Sequence, residues 1–317
     1  MSSPIRSGQY ANLPNGIRLH YASAGSPGRP LVLFVHGFPE AWFAWEAQLE
    51  AFGARFYAVA LDLRGFNLSD KPVDVNAYRP HKIVEDLKLM ITLLGYGESQ
   101  IVAHDWGGAI AWQLAILAPQ RVRKLVIVNA PHPYVFARQL LENPAQRQAS
   151  AYMNLLRKPG AELLLAENDF QRLDALFTAG AANGAGAGSG AKSSARHWYD
   201  VALRERYHAT WSIAGEHGSH GLTGGLNYYR ASGLHPPTEG DPAIGVEADP
   251  QRWIVRVPVR VIWGMQDTAL LASLLEGLAE LCADLRITRI DDGSHWVVHE
   301  QPARVNALIA QALDEAC

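Results

Sequence analysis

The chain has 317 residues, enough for about two domains or for one large domain with an insertion. Hydrophobic residues make up 48% and charged residues 19% of the chain, which excludes global disorder and permits a sizeable core. The formal net charge of -3, without a basic stripe, argues against a nucleic-acid partner.

Cysteine content and the N-terminal sequence favour a reduced, soluble environment. The two cysteines, Cys282 and Cys317, are too few for a disulfide framework. The stretch MSSPIRSGQYANLPNG lacks the apolar region of a signal peptide, and no apolar run approaches the roughly 18 residues of a membrane span. We therefore expect a soluble cytoplasmic protein without a membrane partner.

The first third of the chain predicts strands and helices in alternation. Strands are expected where apolar runs are short, and helices where apolar residues recur at helical spacing. In chain order we predict a hairpin turn at LPNG (13–16), strands Ile17–Ser23, Leu31–His36 and Phe56–Asp62, helix Ile83–Leu94 ending at Gly95, strand Gln100–His104, helix Ala109–Leu117 and strand Lys124–Asn129. This order indicates a parallel sheet with right-handed crossovers.

The pattern changes between Pro133 and Arg256, where apolar spacing is helical and strands are hard to find. The stretch Ala179–Ala195 within this region is rich in glycine, alanine and serine, which is typical of a flexible loop. The earlier pattern then resumes, predicting strand Val259–Trp263, helix Ala269–Leu281, strand Leu285–Ile290 and a helix near Pro302–Leu313. We predict an α/β core formed by residues 1–132 and 257–317, with a mostly helical cap, residues 133–256, inserted into it.

Asp105 is the first candidate for chemistry. In VAHDWGGAIAW it follows a predicted strand and precedes a helix, and small residues flank it, as in the G-x-S-x-G turns that carry a nucleophile. Aspartates have an ordinary pKa near 3.9, so a nucleophilic aspartate needs no base, but the ester that it forms must be hydrolysed. The alternative is that Asp105 only caps the helix that follows.

Two residues downstream have the chemistry that ester hydrolysis requires. Asp267 and His295 each follow a predicted strand, so they are expected at the same sheet edge as Asp105. The order nucleophile, acid, histidine is that of α/β-hydrolases, in which the histidine activates water and the acid orients the histidine. As alternatives, Asp267 could be a helix cap, and His299 could replace His295.

The loop HGFPE follows strand Leu31–His36 and offers an oxyanion hole. Its donors would be the backbone N–H groups of Phe38 and Trp106, and Pro39 is a candidate for a cis peptide bond that shapes the loop. A plain strand-to-helix turn would explain the glycine and proline of this loop but not its coincidence with Asp105.

Five motifs resemble the epoxide hydrolase branch of the α/β-hydrolase family, over essentially the whole chain. In order they are HGFPE, DLRGFNLSDKP, HDWGG, WGMQD and GSHWVVHEQP. The sequence departs from the family at Ala103 and Asn67, where glycine is frequent, but asparagine can adopt a positive φ. The resemblance implies an α/β-hydrolase fold, with a mostly parallel sheet flanked by helices, and substrate contacts by His36, Pro39, His104 and Trp106.

The resemblance further implies two tyrosines in the cap that protonate the epoxide oxygen. The segments SAYMNLLRKPGAE and LNYYRAS match those of the family and indicate Tyr152 and Tyr229, the latter rather than Tyr228. The alternative is that these tyrosines are packing residues with a solvated hydroxyl.

The first and last motifs are shared with haloalkane and haloacetate dehalogenases, so a dehalogenase remains an alternative. A ligand-binding protein on a hydrolase fold is a second alternative, although such receptors usually keep a serine where this chain has Asp105. We expect an epoxide hydrolase that acts on a small-molecule epoxide as a monomer or homodimer. We expect no cofactor and no metal, because the histidines lack ligand spacing such as H-E-x-x-H.

Overall fold

The structure is a computed structural model that describes residues 4–178, 198–241 and 249–315. The stretch Ala179–Ala195 and residue Cys317, both discussed above, lie outside these residues.

The described residues form a sheet of eight strands in the order β1-β2-β4-β3-β5-β6-β7-β8. The first two strands make an antiparallel hairpin, β2 also pairs antiparallel with β4, and every later pair is parallel. The strands are β1 (Arg6–Asn12), β2 (Arg18–Ala24), β3 (Leu31–Val35), β4 (Tyr57–Leu61), β5 (Ser99–His104), β6 (Val122–Val128), β7 (Val255–Gly264) and β8 (Cys282–Ile290). The predicted hairpin and parallel sheet are therefore confirmed.

The central strands are recognisable in the sequence as continuous apolar runs because they are fully buried. Every residue of β3 and β4 is buried, because helices cover both faces of a parallel sheet. These helices are α1 (Glu46–Phe52), α2 (Pro80–Leu93), α3 (Asp105–Leu117) and α12 (Pro302–Asp314). Helix α2 ends where predicted, since Gly95 adopts a φ of 91° and its N–H donates to the carbonyl oxygen of Thr92.

The described residues between β6 and β7 contain helices but no named strand. They are α4 (Pro133–Glu142), α5 (Pro144–Ala149), α6 (Tyr152–Leu156), α7 (Ala161–Thr178), α8 (Val201–Ser212) and α9 (Thr223–Ala231), and α7 is interrupted at 167–170. This segment packs over the carboxyl edge of the sheet. For example, the indole of Trp211 donates to the carbonyl oxygen of Pro39 at 2.7 Å, and that of Trp296 donates to the carbonyl oxygen of Leu176 at 2.9 Å.

One predicted helix is wrong. In place of a continuous helix over Ala269–Leu281, the chain forms a 3-10 turn at Ala272–Leu275 and the short helix α10 (Leu278–Leu281). Gly277 separates the two with a left-handed φ of 81°, which a continuous helix cannot contain. A further short helix, α11 (Val297–Glu300), precedes α12.

Within the described ranges, every helix is too short or too polar to cross a bilayer.

Candidate active site

Asp105 lies at the junction of β5 and α3, with a φ of 49°. Positive φ is uncommon for a residue other than glycine and typically marks strain at a functional turn. The turn requires small neighbours, because a Cβ atom on Gly107 would lie 2.3 Å from the carbonyl oxygen of Val35. The sharp turn thus lies where the side chain of Asp105 enters the lining of two cavities.

The carboxylate of Asp105 is held by the loop after β3. Its Oδ1 atom accepts a hydrogen bond of 2.8 Å from the backbone N–H of Phe38. A Cβ atom on Gly37 would lie 2.3 Å from the same oxygen, so glycine is required there. The peptide bond between Phe38 and Pro39 is cis. The backbone N–H of Trp106 lies in the first turn of α3, where N–H groups have no helical acceptor.

The structure brings Asp267 and His295 to the same edge. Nδ1 of His295 lies 2.7 Å from Oδ2 of Asp267, and Nε2 lies 3.7 Å from Oδ2 of Asp105. Burial by itself would lower the pKa of His295, but the charge and hydrogen bond of Asp267 and the charge of Asp105 raise it to about 9. His299, the alternative candidate for the base, has a different partner: its Nε2 atom lies 2.6 Å from Oε1 of Glu40.

Asp267 makes both of the contacts that the sequence presented as alternatives. Its Oδ1 accepts from the backbone N–H groups of Ala269 and Leu270, as a cap does, while Oδ2 contacts His295. Burial would raise the pKa of Asp267, but the charge and hydrogen bond of His295 hold it below its usual value. Oδ2 also accepts 2.8 Å from the side-chain amide of Asn129, a residue that the sequence analysis missed.

A second residue that the sequence analysis did not single out is Glu40, which is buried. Its carboxylate contacts His104 at 3.1 Å and His299 at 2.6 Å. Burial would raise the pKa of Glu40, but hydrogen bonds from these two histidines hold it well below the usual range. His104 in turn donates through Nε2 to the carbonyl oxygen of His295 at 2.9 Å, so the network fixes the backbone of the candidate base.

Two adjacent cavities share Asp105, Tyr152 and Tyr229 in their lining. The first encloses about 450 Å³ of space, part of it open to solvent, and the rest of its wall is mainly apolar, including Trp106 and Phe136. The second has about 850 Å³, partly open to solvent, and its wall includes His295 and Asp267. An apolar cavity with a few convergent polar groups is typical of a small-molecule site.

The hydroxyl positions distinguish the neighbouring tyrosines of α9. Tyr228 donates at 2.9 Å to the carbonyl oxygen of Arg64, so its hydroxyl is used in the core. Tyr229 lines both cavities and lies against Tyr152, with ring centroids 6.4 Å apart. Burial raises the pKa of both cavity tyrosines, and the charge of Asp105 raises it further.

Comparison with known proteins identifies the family to which the chain belongs. The model of the alpha/beta hydrolase fold matches residues 30–302. Epoxide hydrolase 4 of Mus musculus is 34% identical over 303 residues, covering 95% of this chain and 77% of that protein. The chain belongs to the epoxide hydrolase branch of the α/β-hydrolase family. It is therefore a hydrolase, and the family and fold predicted from the motifs are confirmed.

Solved structures of epoxide hydrolases agree with this assignment. Bacillus megaterium epoxide hydrolase in complex with an inhibitor superposes with a TM-score of 0.82 at 33% identity, covering 97% of this chain and 100% of that chain. A mutant of the same enzyme, complexed with its product, a naphthyloxy propane-1,2-diol, superposes with a TM-score of 0.83 at 32% identity over the same shares.

Only one of the four residues predicted to contact the substrate lines the two cavities described above. Among the described residues, the cavity walls include Trp106 but not His36, Pro39 or His104. His36 is buried, where its ring contacts the carbonyl oxygen of Gly37 at 2.8 Å. The carbonyl oxygen of Pro39 accepts a hydrogen bond from the indole of Trp211, and Nε2 of His104 donates to the carbonyl oxygen of His295. These three residues position the loop and the candidate base from behind the cavity wall.

The departure at Asn67 is accommodated as expected. Asn67 has a φ of 43°, the left-handed conformation in which glycine is frequent. Its side-chain amide donates 2.8 Å to Asp62 and is buried. Asparagine therefore replaces glycine at a turn that lines neither of the two cavities.

Proposed function

We propose that the protein is an epoxide hydrolase that acts through a covalent ester on Asp105. The carboxylate attacks an epoxide carbon, the C–O bond of the ring breaks, and an alkyl ester forms. The observation that carries this proposal is that the carboxylate of Asp105, the imidazole of His295 and two phenols line one pair of adjacent cavities. A carboxylate is the nucleophile, and phenols are the acids that an epoxide oxygen needs as the ring opens.

His295 and Asp267 complete the cycle. His295 takes a proton from water, the resulting hydroxide attacks the ester carbonyl, and Asp267 orients and stabilises the imidazolium. The tetrahedral intermediate places its negative oxygen near the backbone N–H groups of Phe38 and Trp106. Removing one such donor typically costs about 3–4 kcal/mol of transition-state stabilisation. The diol leaves after the alcohol takes its proton from His295.

The helical segment 133–256 acts as a cap in this proposal, over a core made of residues 1–132 and 257–317. It contributes Tyr152 from α6 and Tyr229 from α9, whereas Asp105, Asp267 and His295 follow strands of the sheet. Without the cap, the carboxylate and the base would remain but the acids for the epoxide oxygen would be lost.

The apolar lining of the first cavity supports an apolar small-molecule epoxide as substrate. The first cavity presents mainly apolar walls to the group next to the epoxide. The product bound by the Bacillus megaterium relative is a diol with an aromatic ether substituent, the kind of product that this reaction gives.

The nucleophile is tested by a single turnover in heavy-oxygen water. We expect the first diol to contain unlabelled oxygen from Asp105, because the carboxylate attacks before water does. Solvent oxygen in the first diol would contradict the covalent mechanism.

The base is tested by replacing the two rival histidines separately. His295→Gln should still form the ester, which then accumulates as added mass on the protein. His299→Gln is the matched control and should keep turning over, since its imidazole bonds Glu40 and does not face Asp105. Normal turnover in the first variant with accumulation of ester in the second would reverse the assignment.

The reaction class is tested by comparing epoxides with haloacetate. Halide departure needs no proton, so a dehalogenase would tolerate loss of both phenols better. We expect epoxide turnover in the wild type and a severe loss in the double variant Tyr152→Phe/Tyr229→Phe. Turnover of haloacetate without turnover of any epoxide would replace this proposal with the dehalogenase alternative.

A further inference from the structure

Helix α9 carries Tyr229, and its first two turns pack directly on the α/β core. Residues 224–229 of this helix are all buried, although α9 belongs to the segment inserted between β6 and β7. The hydroxyl of Tyr228 donates at 2.9 Å to the carbonyl oxygen of Arg64, and the ring centroid of Tyr228 lies 5.2 Å from that of Phe66. Arg64 and Phe66 belong to the connection between β4 and α2, so this helix of the cap is anchored to the core.

The backbones of α9 and of this connection meet at two glycines. A Cβ atom on Gly224 would lie 2.4 Å from both the Cα atom and the carbonyl oxygen of Gly65. Carbon atoms in contact are typically about 3.5–4.0 Å apart. A side chain at position 224 would therefore separate the helix from the connection by roughly 1 Å.

The connection beneath α9 is held in place by its own buried contacts. The side chain of Arg64 is buried, with Nε 2.6 Å from a carboxylate oxygen of Asp86, and it donates at 2.8 Å to the carbonyl oxygen of Ala77. The backbone N–H of Gly65 donates at 2.8 Å to the carbonyl oxygen of Asp70. Because breaking a buried ion pair is strongly destabilising, a side chain at position 224 would move the helix rather than the connection.

Phe38 links the position of α9 to that of the proposed nucleophile. Its backbone N–H donates at 2.8 Å to Oδ1 of Asp105, and its ring centroid lies 5.4 Å from that of Tyr229. A Cβ atom on Gly225 would lie 3.0 Å from the same ring, so the first turn of α9 also rests on Phe38. A shift of α9 therefore changes the distance between the phenol of Tyr229 and the carboxylate of Asp105.

We infer that the docking of α9 on Gly65 sets this distance, and that Gly224 and Tyr228 are positioning residues for opening of the epoxide ring. Neither residue lines the two cavities. Gly224 acts by having no side chain, and Tyr228 acts through its hydrogen bond to Arg64. The inference rests on the proposed function and extends control of its first step to a contact between cap and core.

The inference is tested on the rate of ester formation in the His295→Gln background, in which the ester should accumulate. Rapid quenching and mass analysis of the protein give both the rate and the final amount of ester. We expect Gly224→Ala to slow ester formation about 100-fold, since a misplacement of about 1 Å can cost that much. The final amount of ester should not change. A lower final amount formed at an unchanged rate would show that part of the protein is misfolded, and would overturn the positioning role.

A double-mutant cycle tests whether Gly224 acts through Tyr229. In the Tyr229→Phe background, Gly224→Ala should slow ester formation by less than about 3-fold, because the phenol that it misplaces is already absent. Equal slowing with and without the hydroxyl of Tyr229 would mean that Gly224 acts by another route and would overturn the inference.

Tyr228→Phe provides a second variant that adds no atoms to the interface, in case Gly224→Ala does not fold. It removes the hydrogen bond to Arg64, and we expect ester formation to slow about 3- to 10-fold, with little further slowing in the Tyr229→Phe background. An unchanged rate would show that α9 keeps its position without this anchor, against the inference.

Gly97→Ala is the matched control, because a Cβ atom at this glycine would have no heavy atom within 4 Å. It should leave ester formation within about 2-fold of the rate in the His295→Gln background alone. If that background formed no ester with any epoxide, the proposed function itself would fail. If the ester formed and Gly224→Ala left its rate unchanged, the inference alone would fail.

Discussion

Neutralising Asp105 should lower the pKa of His295, because the two groups are close and of opposite charge. Nε2 of His295 lies 3.7 Å from the carboxylate oxygen of Asp105, and both side chains are about one-seventh exposed, at 14% and 13%. The Coulomb energy at this separation is about 4 kcal/mol at an effective dielectric constant of about 20, and about 1 kcal/mol at that of water. Since about 1.4 kcal/mol corresponds to a tenfold change, Asp105→Asn should lower the pKa of His295 by about one to three.

The assay is an NMR titration of the His295 ring in the wild type and in Asp105→Asn. We expect a wild-type pKa of about 9. In the variant we expect a value between about 6 and 8. Glu50→Gln, which removes an exposed carboxylate on α1, is the control and should leave the titration unchanged. A pKa in Asp105→Asn within half a unit of that in the wild type would refute the coupling.

The same coupling predicts how stability depends on pH. Burial alone would lower the pKa of His295, but Asp267 and Asp105 raise it from 6.5 to about 9 in the folded state. The protonated histidine therefore stabilises the fold fully below pH 6.5, and this contribution is lost as the pH rises through about 9. Urea unfolding of Asp105→Asn should show a smaller loss of stability over that interval than the wild type.

Two further predictions concern close packing and the contact between cap and core. Gly37→Ala should abolish ester formation, because the new Cβ atom would lie 2.3 Å from the proposed nucleophile. Gly97→Ala is the control and should react normally, because a Cβ atom there would have no heavy atom within 4 Å. Equal activity of the two variants would contradict this steric argument. Arg206→Ala should lower the free energy of unfolding by about 1–2 kcal/mol, because it removes a partly exposed ion pair with Glu46 and a cation–π contact of 4.1 Å with Phe43. Chemical denaturation measures this loss, and an unchanged stability would mean that α8 docks without it.

The part of the site that the sequence predicts depends on one property of parallel sheets. Asp105, Asp267 and His295 each follow a strand, and the carboxyl ends of parallel strands meet at one edge. Their proximity could therefore be predicted without knowing any side-chain contact. The tyrosines of the cap could not, because helical spacing does not fix how separate helices approach a distant strand end. Tyr152 and Tyr229 were found through family resemblance.

The residues that the sequence analysis missed form hydrogen bonds with partners that lie far away in the sequence. Glu40 belongs to the motif HGFPE, but its partner His299 is 259 positions away, and nothing in either segment indicates the other. Asn129 likewise reaches Asp267 across 138 positions. The broken helix is a different case, because Gly277 stood inside the predicted element and was a signal that a continuous helix was doubtful.

The charges of the site set the order of the two proposed chemical steps. With Asp105 ionised, His295 is mostly a cation at neutral pH and cannot accept a proton from water. Formation of the ester removes the negative charge of Asp105 and lowers the pKa of the imidazole, so His295 releases its proton to solvent and becomes a base only when there is an ester to hydrolyse. Hydrolysis restores the carboxylate, and His295, neutral after giving its proton to the alcohol, takes up a proton from solvent again. Asp267 and Glu40 keep their charges throughout, since histidine partners hold the pKa of both carboxyl groups low. The charge of the nucleophile therefore controls the protonation of the base across 3.7 Å.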